Sequence, residues 1–185
     1  MKRIDISTPK YPSTFTIVDD ADYEWLNQWK WQAVKSKRTF YAVRTVWMPG
    51  GKMKDRQKIT MHRLILGLGS RDKRQGDHRN HNGLANWRDN LRTCTCSQNK
   101  QNGNPYRNCS SKYKGVSWRK DCRKWVARIR VDGCLVHLGL YGNEIEAAKA
   151  YNKAAKELFG EFASLNEIML EVGEAEVAGR KVNVA

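Results

Sequence analysis

Hydrophobic and polar residues alternate near the N-terminus in a way that predicts short β-strands at residues 15–18, 30–34 and 40–46. Acidic residues within 19–22 precede a helical pattern at residues 23–29, as is typical of a helix start. Four of the seven tryptophans, at positions 25, 29, 31 and 47, lie in this segment. We interpret them as the core of a small α+β subdomain over residues 1–54. The alternative is a stacking platform for nucleic acid.

A second pattern follows over residues 55–103, which we treat as one module. Residues 58–67 predict a strand that enters a short helix, and residues 90–95 predict another strand. Thr95 and Gln98 have the spacing of a capping box, so a helix should begin there. His62 lies in the first of these elements and has two interpretations: it approaches a metal site or a phosphate, or it is a satisfied structural residue.

The C-terminal part predicts three strands and one long helix over residues 110–166. In residues 125–131 the apolar side chains share one face and the basic ones the other. Flanking strands are expected at residues 113–119 and 135–139, the latter after an Asp132-Gly133 turn. A helix should begin at Asn143 and run to Phe159, covering the apolar face. Residues 104–109 would be a linker and residues 167–185 a tail.

The charge of the sequence indicates what kind of partner the protein binds. The 34 Lys and Arg residues outnumber the 19 Asp and Glu residues, and the formal net charge is +15. Such an excess suits a polyanion, with nucleic acid favoured over a membrane surface because no basic amphipathic helix is apparent. The sequence contains no long apolar run and no signal-peptide pattern. We therefore expect an intracellular, cytoplasmic protein in the host cell of a phage or mobile element, with no membrane partner.

The five cysteines at positions 94, 96, 109, 122 and 134 form no Cys-x-x-Cys pair. A structural zinc site built from Cys94, Cys96, Cys109 and His81 is an alternative, but its spacing does not match the usual zinc knuckles. Free thiols in a reducing compartment are the preferred interpretation, and structural zinc is not expected.

The most informative stretch for chemistry is residues 77–99. Asp77 stands beside His78, and carboxamides follow at Asn90 and Asn99 among Arg and Lys residues. A one-metal phosphodiester hydrolase needs these groups: oxygen ligands for a divalent cation, a neutral imidazole that takes a proton from water, and positive charge for the phosphate. Arg92, Arg79 and Arg88 are candidates for contacts with phosphate.

This stretch resembles the motif of HNH endonucleases, particularly the variant of phage and intron homing enzymes. The resemblance implies a ββα-metal fold in which His78 ends the first strand, Asn90 lies on the second and Asn99 lies on the helix. It further implies that His78 is the general base, that Asp77 and Asn99 bind Mg²⁺ or Mn²⁺, and that Asn90 braces the loop holding His78. The N-terminal segment also resembles the part that often precedes phage HNH motifs.

Residues 110–166 closely resemble an AP2 DNA-binding domain. The motifs stand in order: Tyr-Lys-Gly-Val, Trp-x-Ala-x-Ile-Arg, Leu-Gly, Glu-Ala-Ala-x-Ala-Tyr and Phe-Gly-x-Phe-Ala. The resemblance implies a three-stranded antiparallel sheet, packed on one helix, that lies in the DNA major groove. The implied contact residues are Lys114, Ser117, Arg119, Arg128, Arg130 and His137. Ser117, Leu135 and His137 depart from the plant pattern, so the plant target sequence is not carried over.

Together these observations predict an α+β protein that is a site-directed, metal-dependent DNA endonuclease acting on double-stranded DNA. One HNH site per chain suits nicking by a monomer, whereas double-strand cleavage requires a homodimer or two successive nicks. The alternative is a non-catalytic DNA-binding transcription regulator that retains the HNH scaffold. An RNA-binding protein is a third hypothesis, based on charge and tryptophans alone.

Overall fold

The computed structural model describes residues 1–47, 56–103 and 109–168. The chain divides into two compact units. Among the described residues, the first unit consists of those within Met1–Asn104 and Phe159–Ser164, and the second consists of those within Pro105–Leu158 and from Leu165 onward. The end of the predicted N-terminal subdomain, most of the predicted linker and most of the predicted tail lie outside the described residues. No helix in the described part of the chain is long and apolar enough to span a membrane.

The described residues of the first unit form three small antiparallel sheets and three short α-helices. Strands β1 and β2 form a pair, strands β3, β4 and β5 form a sheet in that order, and strands β6 and β7 form a hairpin. The elements are β1 Lys2–Asp5, β2 Phe15–Val18, α1 Asp20–Asn27, β3 Gln32–Lys35, β4 Phe40–Trp47, β5 Arg56–Thr60, α2 Met61–Ile65, β6 Gln75–His78, β7 Leu91–Cys94 and α3 Cys96–Asn102.

One hydrophobic core joins the N-terminal segment to the β6–β7 hairpin. Trp31, Met61 and Leu91 belong to the same buried cluster, although they come from three distant parts of the chain. Trp31 is 1% exposed, and its indole N–H donates to the carbonyl of Leu26 at 2.8 Å. Trp25 and Trp29 pack around this cluster. These three tryptophans therefore support the core, whereas Trp47 is 57% exposed.

Helix α3 begins where the capping box predicts. The Thr95 hydroxyl accepts from the Gln98 backbone N–H, and the Gln98 side chain accepts from the Thr95 N–H. These two reciprocal bonds satisfy backbone donors that a helix start leaves open. The capping box therefore fixes the point at which the chain leaves strand β7 and turns into helix α3.

In the part that the structure describes, the second unit is a three-stranded antiparallel sheet with one helix. The strands are β8 Val116–Arg119, β9 Lys124–Val131 and β10 Cys134–Tyr141, in the order β10-β9-β8, and the helix is α4 Glu144–Phe159. Ala127 of the sheet is fully buried together with Ala147 and Ala148 of the helix. Their small side chains allow the helix backbone to lie close to the sheet, as the alanine pattern predicts.

The α+β class is confirmed, and three details differ from the sequence predictions. Helix α1 begins at Asp20, within the predicted acidic start at residues 19–22, but ends at Asn27, two residues before the predicted end, and strand β1 was not predicted. Strand β8 begins only at Val116, because Gly115 has φ +75°, which is outside the β region. The Tyr151 ring leaves no space for a Cβ at Gly115, so this position requires glycine.

Candidate active site and DNA-contact face

Asp77 and His78 are the last two residues of strand β6 and are both buried. The hairpin register pairs Asp77 with Arg92 and His78 with Leu91. This register brings a carboxylate, a guanidinium and an imidazole to one end of the hairpin. The position of His78 at the end of its strand agrees with the position that the HNH resemblance implies.

Both carboxylate oxygens of Asp77 accept hydrogen bonds. The Nε of Arg92 donates to Oδ2 at 2.9 Å, and the Nδ2 of Asn102 lies 3.0 Å from each oxygen. Asn102 also donates to the backbone carbonyl of His78 at 3.1 Å. Helix α3 thus contacts the Asp77-His78 corner through Asn102.

Asn99 is the carboxamide that the spacing of the HNH motif implies as a metal ligand beside Asp77. In this structure its hydrogen bond is to Gln75 instead. Its Nδ2 donates to Gln75 Oε1 at 2.6 Å, two residues before Asp77 on the same strand. Asn102 is one helical turn further along α3, and it is the residue that reaches Asp77. Sequence reasoning missed Asn102; the signal for it is its i+3 spacing from Asn99 on one helix face.

The side chain of Arg92 is buried within the first unit, with 7% of it exposed. Its guanidinium lies 4.0 Å above the centroid of the Phe162 ring and donates to the Glu161 carbonyl at 2.5 Å. Arg79, by contrast, is largely exposed and pairs with the Glu161 carboxylate at 3.0 Å. Arg88 binds the carboxylate of Asp22 with two hydrogen bonds, at 2.7 and 2.8 Å.

Burial keeps the imidazole of His78 neutral near pH 7. Removal from water lowers the pKa of His78, although a hydrogen bond with Asn86 and the charge of Asp77 oppose the shift. Burial also lowers the pKa of His62 to about 3, and repulsion from Arg63 and from the protonated form of His78 contributes. A neutral imidazole at this place meets the requirement for a general base.

Two aromatic rings flank His78. The His62 ring lies edge-on to it with 4.9 Å between the ring centroids, and the Tyr41 ring lies 5.9 Å away. Burial, together with the negative charge of Asp77, raises the pKa of Tyr41. His62 therefore lies beside the predicted base, and its contact with His78 is one of packing.

Asn90 closes the loop between the two strands of the hairpin. It ends a 3₁₀ turn at Arg88–Asn90, one residue before strand β7, whereas the resemblance implied a place on the strand itself. Its Nδ2 donates to the Ala85 carbonyl at 2.7 Å, and its Oδ1 accepts from the Asn80 backbone N–H at 3.1 Å. Arg79 N–H donates to the Asn90 carbonyl at 2.9 Å. These contacts hold the loop that follows His78.

Oxygen donors at this corner suit a hard divalent cation. No group of three or more His, Cys, Asp or Glu residues is placed to hold a metal ion within residues 1–47, 56–103 and 109–168. The corner instead offers one carboxylate, Asp77. The carboxamides of Asn99 and Asn102 lie on the adjacent helix with their Nδ2 groups toward the hairpin, and Asn102 Oδ1 lies 3.1 Å from His81 Nε2. Mg²⁺ commonly uses one or two protein carboxylates and completes its shell with water and substrate phosphate, so the carboxylate of Asp77 fits such a cation.

The exposed sheet face of the second unit carries most of the predicted DNA-contact residues. Arg128 pairs with His137 across β9 and β10, and Ser117 lies on strand β8. Arg119 forms an ion pair with Asp121, and Arg130 donates to the Gly133 carbonyl at 2.7 Å. Lys124, which was not predicted, lies directly opposite Arg119 and adds another exposed cation.

Lys114 lies apart from this strand surface. It belongs to the turn before strand β8, where its backbone N–H donates to Asn166 Oδ1 at 2.6 Å. Burial lowers the pKa of its ammonium group to about 8. The structure therefore brings five of the six predicted residues onto the strands and leaves Lys114 in the turn beside them.

The chain is similar to known proteins in both units. Residues 111–161 match the family model of the AP2 domain. Over 118 residues, 62% of this chain, it is 36% identical to a protein of Acanthamoeba polyphaga mimivirus named Uncharacterized HNH endonuclease L560. Dehydration-responsive element-binding protein 2C of Arabidopsis thaliana is 45% identical over 56 residues, 29% of this chain, and protein 2D is 46% identical over 61 residues, 32% of this chain.

These matches cover 60% of the mimivirus protein, and 16% and 29% of the two plant proteins. No solved structure matches the chain significantly. The comparisons confirm the predicted resemblance to an HNH endonuclease that carries an AP2 domain. The similarity therefore consists of an AP2 domain match within the second unit and a relative that is named as an HNH endonuclease.

Proposed function

We propose that the chain is a metal-dependent, site-directed DNA endonuclease of the homing type. The observation that carries the proposal is the corner at the end of strand β6, where neutral, buried His78 stands beside Asp77 and against helix α3. Phosphodiester hydrolysis needs a proton acceptor and an oxygen-ligated cation close together, and adjacent residues on one strand supply both.

In the proposed reaction His78 accepts a proton from the water that attacks the scissile phosphate. Asp77, with a carboxamide of helix α3, would hold Mg²⁺ or Mn²⁺. When bound, this cation neutralises charge on the phosphate and assists departure of the 3′-oxygen. Asn90 keeps the loop after His78 in place through its bonds to Ala85 and Asn80. The products would carry 5′-phosphate and 3′-hydroxyl ends.

Target recognition is assigned to the sheet of the AP2 domain. Its exposed strands present Arg119, Arg128 and Arg130, whose guanidinium groups can bind guanine edges or phosphates in the major groove. In this structure Arg119 forms an ion pair with Asp121, and Arg130 donates to the Gly133 carbonyl. Both contacts are exposed, so contacts with DNA can replace them. The net charge of +15 supports attraction to duplex DNA.

The non-catalytic regulator is the second candidate, and one observation favours it. Asp77 is engaged by Arg92 and Asn102 on both oxygens, as it would be in a purely structural network. The two functions differ in one outcome, because only the endonuclease changes the covalent state of DNA.

Conversion of supercoiled plasmid tests the proposal. The plasmid carries the DNA that flanks the gene, and the reaction is run with Mg²⁺ or with EDTA. We expect Mg²⁺-dependent nicked or linear product from the wild type, and a loss of about 10²–10⁴-fold in His78→Ala with DNA binding retained. His81→Asn is the comparison variant, since it removes an imidazole that lies 3.1 Å from Asn102 Oδ1 and is not the proposed base, while asparagine tolerates the positive φ of +62° at this position.

The product pattern separates the hypotheses. Retained cleavage by His78→Ala would remove this residue from the mechanism. A specific gel shift without any Mg²⁺-dependent cleavage would favour the regulator. Nicked product indicates action on one strand, whereas linear product indicates cleavage of both strands. Competition with RNA of equal length tests the preference for duplex DNA.

A further inference from the structure

We propose that Asn86 and Thr16 are positioning residues that fix the tautomer of His78, so that Nδ1 carries the lone pair that accepts the proton from water. The chemical meaning of this inference rests on the proposed function. The hydrogen-bond chain on which it stands is a property of the first unit itself and can be measured without DNA or metal.

Asn86 lies between His78 and Thr16 and is completely buried. Its Oδ1 lies 3.0 Å from His78 Nε2, and its Nδ2 lies 2.7 Å from Thr16 Oγ1. The Nδ2 also lies 3.5 Å from the Gly83 carbonyl oxygen. A buried carboxamide thus joins the imidazole to a hydroxyl that is 70 positions away in sequence.

The direction of each bond follows from which groups are able to donate. Thr16 Oγ1 lies 2.8 Å from the Leu84 carbonyl oxygen, which can only accept. A hydroxyl has one hydrogen, and Thr16 uses it on Leu84. Thr16 must therefore accept from Asn86, which places the amide NH₂ on the Thr16 side. The Gly83 carbonyl requires the same orientation, because it too can only accept.

The orientation of Asn86 then determines the tautomer of the His78 imidazole. With its NH₂ directed to Thr16, Asn86 presents its oxygen to His78 Nε2. An amide oxygen only accepts, so Nε2 must carry the hydrogen. A neutral imidazole has a single N–H, and Nδ1 is consequently left with its lone pair. No hydrogen bond to Nδ1 is formed within the residues that the structure describes.

Backbone pairing keeps the parts of this chain in register. Ile17 N–H donates to the Leu84 carbonyl at 2.9 Å, and Asn86 N–H donates to the Ile17 carbonyl at 2.8 Å. These two bonds join strand β2 to the residues that precede Asn90. Thr16 and Asn86 are therefore held at a fixed separation by the fold, and the tautomer of His78 depends on strand β2.

Nitrogen-15 NMR of the full chain tests the tautomer directly. The protein has four histidines, so the ring signals of His78 are identified by their loss in His78→Gln. In long-range ¹H–¹⁵N spectra near pH 7.5, without DNA or metal, we expect a protonated-type shift at Nε2 and an unprotonated-type shift at Nδ1. The reverse assignment, or two averaged shifts, would overturn the inference.

Substitution of Thr16 tests whether the relay is the cause. Thr16→Val keeps the side-chain shape and removes the hydroxyl, whereas Thr16→Ser retains it. We expect the His78 shifts to move toward averaged values in Thr16→Val, because only the 3.5 Å contact with the Gly83 carbonyl then orients the Asn86 amide, and to return in Thr16→Ser. We also expect a loss of kcat in Thr16→Val of roughly fivefold, the rate equivalent of one net hydrogen bond, with the KM for DNA unchanged.

Unchanged ring shifts in Thr16→Val would show that Thr16 does not set the tautomer. If Thr16→Val does not fold, the wild-type spectrum still decides which ring nitrogen is protonated. The outcomes also separate this inference from the proposed function. A chain that does not cleave DNA would fail the plasmid assay and still report its tautomer by NMR, while an active enzyme with the reverse tautomer would refute the relay alone.

Discussion

Arg92→Met should destabilise the first unit strongly, because it leaves a buried carboxylate without its cation. Asp77 and Arg92 each have 7% of their side chains exposed, and they are 2.9 Å apart. Breaking a buried ion pair by removing one partner costs about 3–5 kcal/mol. Asn102 still donates to Asp77, so we expect a loss near the lower end, about 3 kcal/mol, in the free energy of unfolding.

Urea denaturation followed by tryptophan fluorescence measures this loss, since Trp25, Trp29 and Trp31 lie in or against the core of the same unit. Arg79→Met is the matched control. Arg79 also pairs with Glu161, but both side chains are well exposed, so its removal should cost less than about 1 kcal/mol. Equal losses in the two variants would refute the reasoning.

A double variant identifies the cause of the loss. Asp77→Asn combined with Arg92→Met leaves no buried charge, so it should be more stable than Arg92→Met alone. Mg²⁺ should stabilise Arg92→Met more than the wild type, because the cation would then meet a carboxylate that no guanidinium occupies. Equal stabilisation by Mg²⁺ would argue against a cation at Asp77.

Three further predictions concern other parts of the chain. Burial would raise the pKa of Asp22, but hydrogen bonds from Arg88 and Trp25 outweigh it and lower the pKa. The carboxylate therefore stabilises the fold above its unfolded pKa of about 3.9, and the stability difference between wild type and Asp22→Asn should shrink in urea titrations as pH falls below that value. Gly115→Ala should lower the melting temperature of the second unit, because the new Cβ would lie 2.1 Å from the Tyr151 ring; an unchanged melting temperature would contradict this packing. Arg128→Ala should weaken binding of target DNA by about 1–3 kcal/mol in gel-shift titrations if Arg128 contacts a base, and an unchanged affinity would place it in solvent.

Elements governed by local rules were predictable from the sequence. The alternation in residues 125–131 predicted strand β9, which spans Lys124–Val131, and the Asn143 cap predicted the start of helix α4 at Glu144. The capping box at Thr95 is present with both of its bonds. Each of these signals acts over a few residues, so it survives without knowledge of the fold. The class and the order of most elements follow from such signals.

The members of the candidate site could be named only in part, because family spacing counts positions along the chain and the structure decides which side chains meet. Asp77 and His78 stand together because they are neighbours in sequence. Which carboxamide faces Asp77 depends instead on how helix α3 lies along the hairpin, and in this structure Asn102 does so while Asn99 contacts Gln75.

The sequence by itself determined the α+β class, the chemistry-bearing pair Asp77-His78 and the basic strand of the second unit, because neighbouring residues encode each of them. Only the tertiary structure decided that Arg92 is buried on Asp77 and that Thr16, through Asn86, reaches His78. These contacts join strands that are distant in the chain. Sheet register and the shared core determine which residues meet, and no local sequence pattern predicts the register or the core.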